Sequence, residues 1–176
     1  GHVGFALVGL AAGTEEGVTG VLVYLGIYLV MNLGTFAVIL CMRRNDRMNE
    51  EITDLAGLAK TKPLMAAITA ILMFSMAGIP PLAGFFGKFY VFKAAVDAGL
   101  VTFAVIGLGT SVVSAYYYLR IIKVMYFDEP VEGFDRNGTE MNVIMAVATI
   151  AILAFVFFPN PLMDSAAIAA ASLFGQ

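Results

Sequence analysis

The sequence predicts an all-α fold, a multi-pass bundle of transmembrane helices in which one helix is discontinuous. Of the 176 residues, 60% are hydrophobic and 13% are charged, and the mean hydropathy is +0.89. Soluble domains contain roughly 45–50% apolar and about 25% charged residues, so this composition indicates an integral membrane protein. The discontinuity is predicted in the apolar segment 64–96, which is interrupted near its middle by Gly78, Pro80, Pro81 and Gly84.

Short polar stretches divide the chain into further elements. In chain order we expect the end of a helix at 1–13, a helix at 18–42, a loop at 43–63, the broken helix at 64–96, a helix at 101–127, a loop at 128–140, a helix at 141–158 and a tail at 159–176. The first apolar run is shorter than the roughly 20 residues that a helix needs to cross a bilayer. We therefore expect the chain to be the C-terminal piece of a longer protein. The Ala-rich tail predicts an interfacial helix.

The basic residues predict how the loops are oriented. Five of the ten lysine and arginine residues lie in loop 43–63, and three lie in or beside loop 128–140. A single crossing by 64–96 places these two loops on the same side, whereas a hairpin at its two prolines would place them on opposite sides. The positive-inside rule favours the single crossing. We expect both basic loops in the cytoplasm and the C-terminus on the outer side.

Lys88 follows the interruption in segment 64–96. It lies eight residues from Val96, which is about 12 Å from the outer end of a helix and close to the middle of the bilayer. A charge at that depth is costly unless it faces protein or water, and intramembrane lysines mark ion and proton pathways. We interpret Lys88 as a proton carrier. The alternative is a structural lysine that donates to carbonyls freed by the break.

The interruption itself has two interpretations. Pro80 and Pro81 lack amide donors and leave carbonyls of the preceding turn unpaired, while Gly78 and Gly84 allow close approach of the backbone. Free helix ends of this kind present partial charges to a charged group in a cavity. The alternative is a simple proline kink in a packed helix.

Two other helices carry polar side chains that could support a proton path. Tyr24, Tyr28 and Asn32 recur every four residues and therefore form one stripe on the helix 18–42. This stripe could hold a file of water beside Lys88, or it could serve only hydrogen bonds between helices.

Ser111, Ser114 and Tyr118 could likewise share one face of the helix 101–127. The tyrosines at the end of that helix, with Arg120 beside them, also match an aromatic belt with cytoplasmic anchors. Both interpretations stay open from the sequence.

The remaining candidate residues are few. We interpret Lys93 as an anchor that reaches the headgroup region, and His2 as either a relay residue or a packed polar residue. The chain has one cysteine, Cys41, and one histidine, which excludes an internal disulfide and a cluster of cysteine or histidine metal ligands. We expect no cofactor and no metal site in this chain.

The segments SMAGIPPLAGFFGKFYVFKAAV and SVVSAYYYLRIIKVMYF, between Ser75 and Phe127, resemble the C-terminal part of the subunit N family of bacterial NADH-quinone oxidoreductase, respiratory complex I. HVGFALVGLAAGT and VLVYLGIYLVMNLGTFAV are similar to the same family. The resemblance implies an antiporter-like fold of about fourteen helices with two inverted repeats, each containing a broken helix with a lysine. Lys88 matches the lysine of the second repeat.

The resemblance also implies a function and a location. The protein would be a non-redox, proton-translocating subunit in the bacterial inner membrane, coupled to quinone reduction elsewhere in the complex. NADH, flavin, iron–sulfur clusters and quinone would belong to partner subunits, and the partners would be other membrane subunits and lipid, without nucleic acid. This chain alone would not be a complete pump. Alternatives are a related subunit of a sodium/proton antiporter or a membrane-bound hydrogenase, and a purely structural membrane subunit.

Overall fold

Helices account for nearly all of the regular structure in the computed structural model, which describes residues 1–175. The α-helices are α1 (His2–Ala11), α2 (Glu15–Leu40), α3 (Leu58–Thr61), α4 (Pro63–Ala77), α5 (Ala83–Asp97), α6 (Val101–Phe127), α7 (Thr139–Phe157) and α8 (Asn160–Leu173). The loop between α2 and α3 contains a 3-10 turn at Ile52–Leu55 and two short antiparallel strands, β1 (Arg43–Arg44) and β2 (Arg47–Met48). The all-α membrane class is confirmed.

Three helices, α2, α6 and α7, are long and apolar enough to cross a membrane. Helices α4 and α5 have 15 residues each, which corresponds to about 22 Å and is less than the ~30 Å of a bilayer core. Each is therefore too short to cross a bilayer by itself, and their crossing as one discontinuous helix stays a prediction. Helix α2 begins at Glu15, three residues before the expected start at 18, because the Thr14 side chain accepts a hydrogen bond from the Gly17 N–H at 3.1 Å and caps the first turn.

Helices α7 and α8 both pack against α2, at successive positions along its length. A β-carbon at Gly34 of α2 would lie 2.9 Å from the β-carbon of Ala148 on α7. A β-carbon at Gly26, two turns away, would lie 3.2 Å from Leu162 on α8. The last apolar segment is therefore divided between two helices that pack against the same neighbour.

The tail 159–176, expected as an interfacial helix, is helical over Asn160–Leu173, and its position relative to the membrane stays a prediction. Ala166 and Ala170, one turn apart on α8, are both buried in the structure. Small side chains allow helix backbones to approach closely inside a membrane. The alanine-rich composition thus provides a packing face toward the bundle.

The two basic loops contact each other directly. The Val131 N–H donates to the Ala56 carbonyl at 3.3 Å, and the Asp135 N–H donates to the Arg43 carbonyl at 2.8 Å. Gly57 adopts φ +65°, and a β-carbon there would lie 2.4 Å from the Cα of Pro130. Loops that touch in this way lie on the same side of a membrane.

Arg44 holds the two loops together. Its guanidinium forms an ion pair with Asp54 at 2.7 Å and donates from Nε to the Glu132 carbonyl at 2.7 Å. The Phe134 ring lies 4.7 Å from the guanidinium carbon, in cation–π contact. One side chain therefore joins three parts of the two loops.

At the opposite end of the bundle, Glu15 and Glu16 at the start of α2 line one cavity together with Lys93 and Asp97 at the end of α5. The loops and helix ends therefore form two groups at opposite ends of the bundle. The segment 64–96 extends from one group to the other once. The side that faces the cytoplasm stays a prediction, which rests on the basic residues.

Cysteine accessibility tests this topology. In a Cys41→Ala background of the intact membrane protein, Arg47→Cys and Glu132→Cys should react with a membrane-impermeant maleimide from one side only. Ala98→Cys should react only from the other side, since all three positions are exposed and the segment 64–96 is expected to cross once. Labelling of Arg47→Cys and Ala98→Cys from the same side would contradict the single crossing.

Candidate functional site

The Lys88 side chain is buried at the break between α4 and α5, with 6% of its surface exposed. Its Nζ donates to the carbonyls of Met76 at 3.0 Å and Ala77 at 3.1 Å, and to the hydroxyl oxygen of Ser111 at 2.9 Å. A protonated lysine has three N–H donors and no acceptor, so these three partners satisfy it completely.

The two prolines explain why these particular carbonyls are available. In a continuous helix the carbonyls of Met76 and Ala77 would accept from the N–H groups four residues later. Those positions are occupied by Pro80 and Pro81, which have no N–H. Lys88 supplies the two donors that the prolines lack.

Gly78 ends α4 and makes room for the lysine. Its φ of +82° is in the left-handed region that favours glycine at a helix C-terminus. A β-carbon on Gly78 would lie 3.1 Å from Cδ and 3.2 Å from Nζ of Lys88. The residue is therefore constrained both by its backbone conformation and by contact with the lysine.

Gly84 fixes the start of α5 against the end of α4. Its N–H donates to the Ser75 side-chain oxygen at 3.0 Å, and both groups are buried. A β-carbon on Gly84 would lie 1.9 Å from the Ser75 carbonyl oxygen. Only glycine permits this approach of the two half-helices.

The surroundings of Lys88 are neutral. None of the ion pairs among residues 1–175 includes this lysine. Besides its three hydrogen-bond acceptors, Nζ lies 5.1 Å from the centroid of the Phe5 ring, within cation–π distance. Within the described part of the chain, the positive charge is therefore stabilised by dipoles and an aromatic ring.

A second polar cluster is centred on His2. Its Nδ1 lies 2.6 Å from the Tyr24 hydroxyl and its Nε2 lies 2.8 Å from the Tyr118 hydroxyl. The Tyr28 ring stacks on the imidazole, with 4.5 Å between centroids. One imidazole thus connects polar side chains of α2 and α6 that the sequence had placed on separate stripes.

Phe5 lies between the two clusters. Its ring is 5.1 Å from Lys88 Nζ and 6.1 Å, between centroids, from the His2 ring. The phenylalanine is buried, with 3% exposed. No pattern in the sequence points to Phe5, since a phenylalanine in an apolar helix carries no local signal of contact with a charge.

The other predicted site residues take different positions. Ser114 donates to the Thr110 carbonyl at 3.0 Å, one turn earlier on its own helix, a local bond that serine commonly forms. Asn32 is half-buried and forms no side-chain hydrogen bond within residues 1–175. Neither residue joins the Lys88 or His2 cluster. Lys93 is exposed and forms an ion pair with Asp97 at 2.6 Å.

A cavity of about 480 Å³ between α5 and α6 includes both lysines in its lining. Lys88 and Ser111 line it at the break, and Lys93 lines it toward the end of α5. The walls between them are aromatic and aliphatic side chains. The described residues contain no group of three or more histidine, cysteine or carboxylate side chains that could hold a metal ion.

Comparison with protein families gives a match over residues 1–114 to the model described as NADH:quinone oxidoreductase/Mrp antiporter, TM. The chain is 65% identical over 175 residues to NADH-quinone oxidoreductase subunit N from Paramagnetospirillum magneticum, and 62% identical over 175 residues to that from Rhodospirillum rubrum. These matches cover 99% and 98% of the chain and 36% of the length of each relative.

Solved structures show the same fold. A chain of respiratory complex I from Thermus thermophilus with bound NADH is similar with a TM-score of 0.80 and 29% identity, over 99% of this chain and 38% of that chain. A chain of the Mrp complex from Dietzia sp. DQ12-45-1b gives a TM-score of 0.86 at 22% identity, over 99% of this chain and 41% of that chain. At that identity the likeness shows the fold alone.

The contact between Ser75 and Gly84 predicts a sharp effect of one methyl group. Gly84→Ala should destabilise the protein by about 1–3 kcal/mol or more, because overpacking against backbone forces the half-helices apart. The measurement is thermal unfolding of the purified intact protein in detergent. Gly109→Ala on α6 is the matched control, since nothing lies within 4 Å of its β-carbon position. Equal unfolding temperatures for the two variants would contradict the role of Gly84.

Proposed function

We propose that this chain, which belongs to the NADH:quinone oxidoreductase/Mrp antiporter transmembrane family, is part of a complex I subunit N that carries protons through Lys88. The family follows from the match over residues 1–114. The assignment to subunit N is supported by relatives that are 65% and 62% identical over nearly the whole chain. The chain spans only 36% of those relatives, so the activity and partners of the whole protein belong to this proposal.

The observation that carries the proposal is a buried ammonium whose partners are all neutral. A carboxylate in contact would stabilise the charged form strongly and oppose release of a proton. Carbonyl and hydroxyl oxygens stabilise the charge more weakly than an ion pair does. Lys88 therefore sits where loss and gain of a proton can both occur during a catalytic cycle.

Ser111 can form a hydrogen bond with both the protonated and the neutral form of Lys88. The carbonyls of Met76 and Ala77 can only accept hydrogen bonds, whereas a serine hydroxyl can accept or donate. When the Lys88 ammonium gives up a proton, the amine gains a lone pair, and the Ser111 hydroxyl can rotate to donate to it. Rotation of one hydroxyl thus keeps the neutral amine hydrogen-bonded at the same place.

The His2 cluster supplies a second proton-exchanging group close to Lys88. A neutral imidazole can accept a hydrogen bond at one ring nitrogen and donate one from the other, and its two tyrosine partners extend the hydrogen-bonded chain to both α2 and α6. The Phe5 ring separates this cluster from Lys88. A proton can pass between them when the ring moves aside or when water enters next to it.

The partners and orientation follow the family. Other membrane subunits of complex I would adjoin this chain, and NADH, flavin, iron–sulfur clusters and quinone would be bound in partner subunits. The basic loops would face the bacterial cytoplasm and Asp97 the outer side, as the positive-inside rule requires. In this arrangement Lys88 performs no redox chemistry and changes only its protonation state.

A purely structural role is the second candidate, and one observation favours it. Lys88 donates to the two carbonyls that Pro80 and Pro81 leave without partners. A lysine with this task alone would stabilise the break without ever releasing its proton. The two roles predict different effects of substitution.

Replacement of Lys88 distinguishes them. In the intact complex, Lys88→Met should lower proton pumping per assembled complex roughly tenfold or more, since a positioned proton-transfer group contributes about 10²–10⁴ in rate. Lys88→Arg should also impair pumping, because a guanidinium does not deprotonate below about pH 12. The measurement is NADH-driven proton uptake in membrane vesicles, normalised to assembled complex.

Lys93→Met is the matched control, since Lys93 is a lysine of the same helix that is exposed and paired with Asp97. It should retain most of the pumping. Near-normal pumping by Lys88→Arg, together with reduced assembly but normal turnover of Lys88→Met, would rule out the proton carrier and leave Lys88 structural.

A further inference from the structure

A large groove lies between the first turns of α4 and α7, far from Lys88 and on the side of the two basic loops. Its volume is about 720 Å³. Lys62, Arg136 and Asn137 line it where the helices begin, and Leu64, Ile68 and Val143 are among the apolar residues that line it along the helices. The function proposed above makes no use of this groove.

Neither of the two cations in the groove forms an ion pair with a carboxylate. None of the ion pairs among residues 1–175 includes Lys62 or Arg136. Lys62 donates from Nζ to the Asp135 carbonyl and to Asn137 Oδ1, the latter at 2.6 Å. An ammonium has three donors, so one N–H of Lys62 remains for a ligand. Arg136 is exposed at the end of the loop.

The apolar part of the groove lies deeper along both helices. Leu64 and Val143 are 74% and 54% exposed, so both present hydrocarbon surface to whatever fills the groove. Ile68 is five residues beyond Pro63 and Ala146 is seven beyond Thr139, which places them about 8 Å and 10 Å from the charged ends. Positive charge at the membrane boundary is thus followed by an apolar surface toward the membrane interior.

We propose that this groove binds one anionic phospholipid, with its phosphate between Lys62 and Arg136 and an acyl chain along Leu64, Ile68 and Val143. The groove presents positive charge at the membrane boundary and apolar surface toward the membrane interior. This order matches the phosphate headgroup and the acyl chain of such a lipid. Basic pockets between transmembrane helices at the cytoplasmic surface have the chemistry that recognises anionic headgroups. A zwitterionic lipid brings its own cation and gains less from two positive charges that form no ion pair.

The electrostatic environment of Lys62 favours an anionic phospholipid in the groove. Burial lowers the pKa of the Lys62 ammonium, although Asp135 opposes the shift. A phosphate at hydrogen-bond distance would raise that pKa again and stabilise the protonated lysine. Lys62 also connects the loop to the start of α4, so a bound lipid would strengthen this junction.

Photo-crosslinking tests the proposal. The intact protein, within its complex, is reconstituted into vesicles that contain phosphatidylglycerol or phosphatidylcholine with a diazirine in the acyl chain, and adducts are mapped by peptide mass spectrometry. Adducts within 62–68 and 139–146 should favour phosphatidylglycerol. Loss of each positive charge, in Lys62→Gln and in Arg136→Gln, should lower that preference about fivefold.

Two further variants keep the result interpretable. Arg47→Gln removes an exposed charge of the same loop outside the groove and should leave the preference unchanged. Ala146→Phe fills the groove without altering charge and should reduce adducts from both lipids. Arg136→Gln leaves the Lys62 hydrogen bonds in place, so it reports on charge even if Lys62→Gln disturbs the loop.

Three outcomes would overturn the proposal. Absence of adducts in the groove with either lipid would mean that a protein segment occupies it. Equal adducts from both lipids would mean that the groove accepts an acyl chain without selecting the headgroup. An effect of Arg47→Gln as large as that of Arg136→Gln would assign the preference to general surface charge.

Discussion

The hydrogen bonds from Lys88 to the carbonyls of Met76 and Ala77 are the interaction on which the rest of the site depends. Inside a bilayer an unpaired carbonyl costs several kcal/mol, and so does an unpaired ammonium. Pro80 and Pro81 leave the two carbonyls without donors, and Lys88 is a buried ammonium that needs acceptors. Each group removes the cost of the other, so the break and the buried charge are stable only together.

The position of the break determines the larger architecture. Neither α4 nor α5 is long enough to cross a bilayer alone, and the hydrogen bond between Ser75 and Gly84 joins their ends at the break. The joined pair extends from Lys62 at the basic loops to Asp97 at the opposite end of the bundle. The two loops then meet around Arg44, which pairs with Asp54 in one loop and with the Glu132 carbonyl in the other.

In the proposed function, the site combines a charge with surroundings that can adjust to its loss. Ser111 can change from acceptor to donor without moving its helix, and the Phe5 ring separates Lys88 from the His2 cluster by one side chain. A permanently open chain of hydrogen bonds would let protons equilibrate freely. In the proposed mechanism, the single aromatic ring between the two polar clusters would link proton transfer to a conformational step.

The sequence by itself determined the membrane class, the order of the segments and the place of the break, because hydropathy, the missing N–H of proline and the φ freedom of Gly78 are properties of the local chain. It also indicated the freed carbonyls as possible partners of Lys88, as the alternative to a proton carrier. Only the tertiary structure decided that Ser111 meets the lysine while Ser114 bonds within its own helix, and that His2 joins Tyr24 to Tyr118 while Asn32 stays apart. The alanines of α8 that face α2 are a further example. Helical spacing shows which residues share a face, but the rotation and neighbours of each helix depend on packing across the whole bundle.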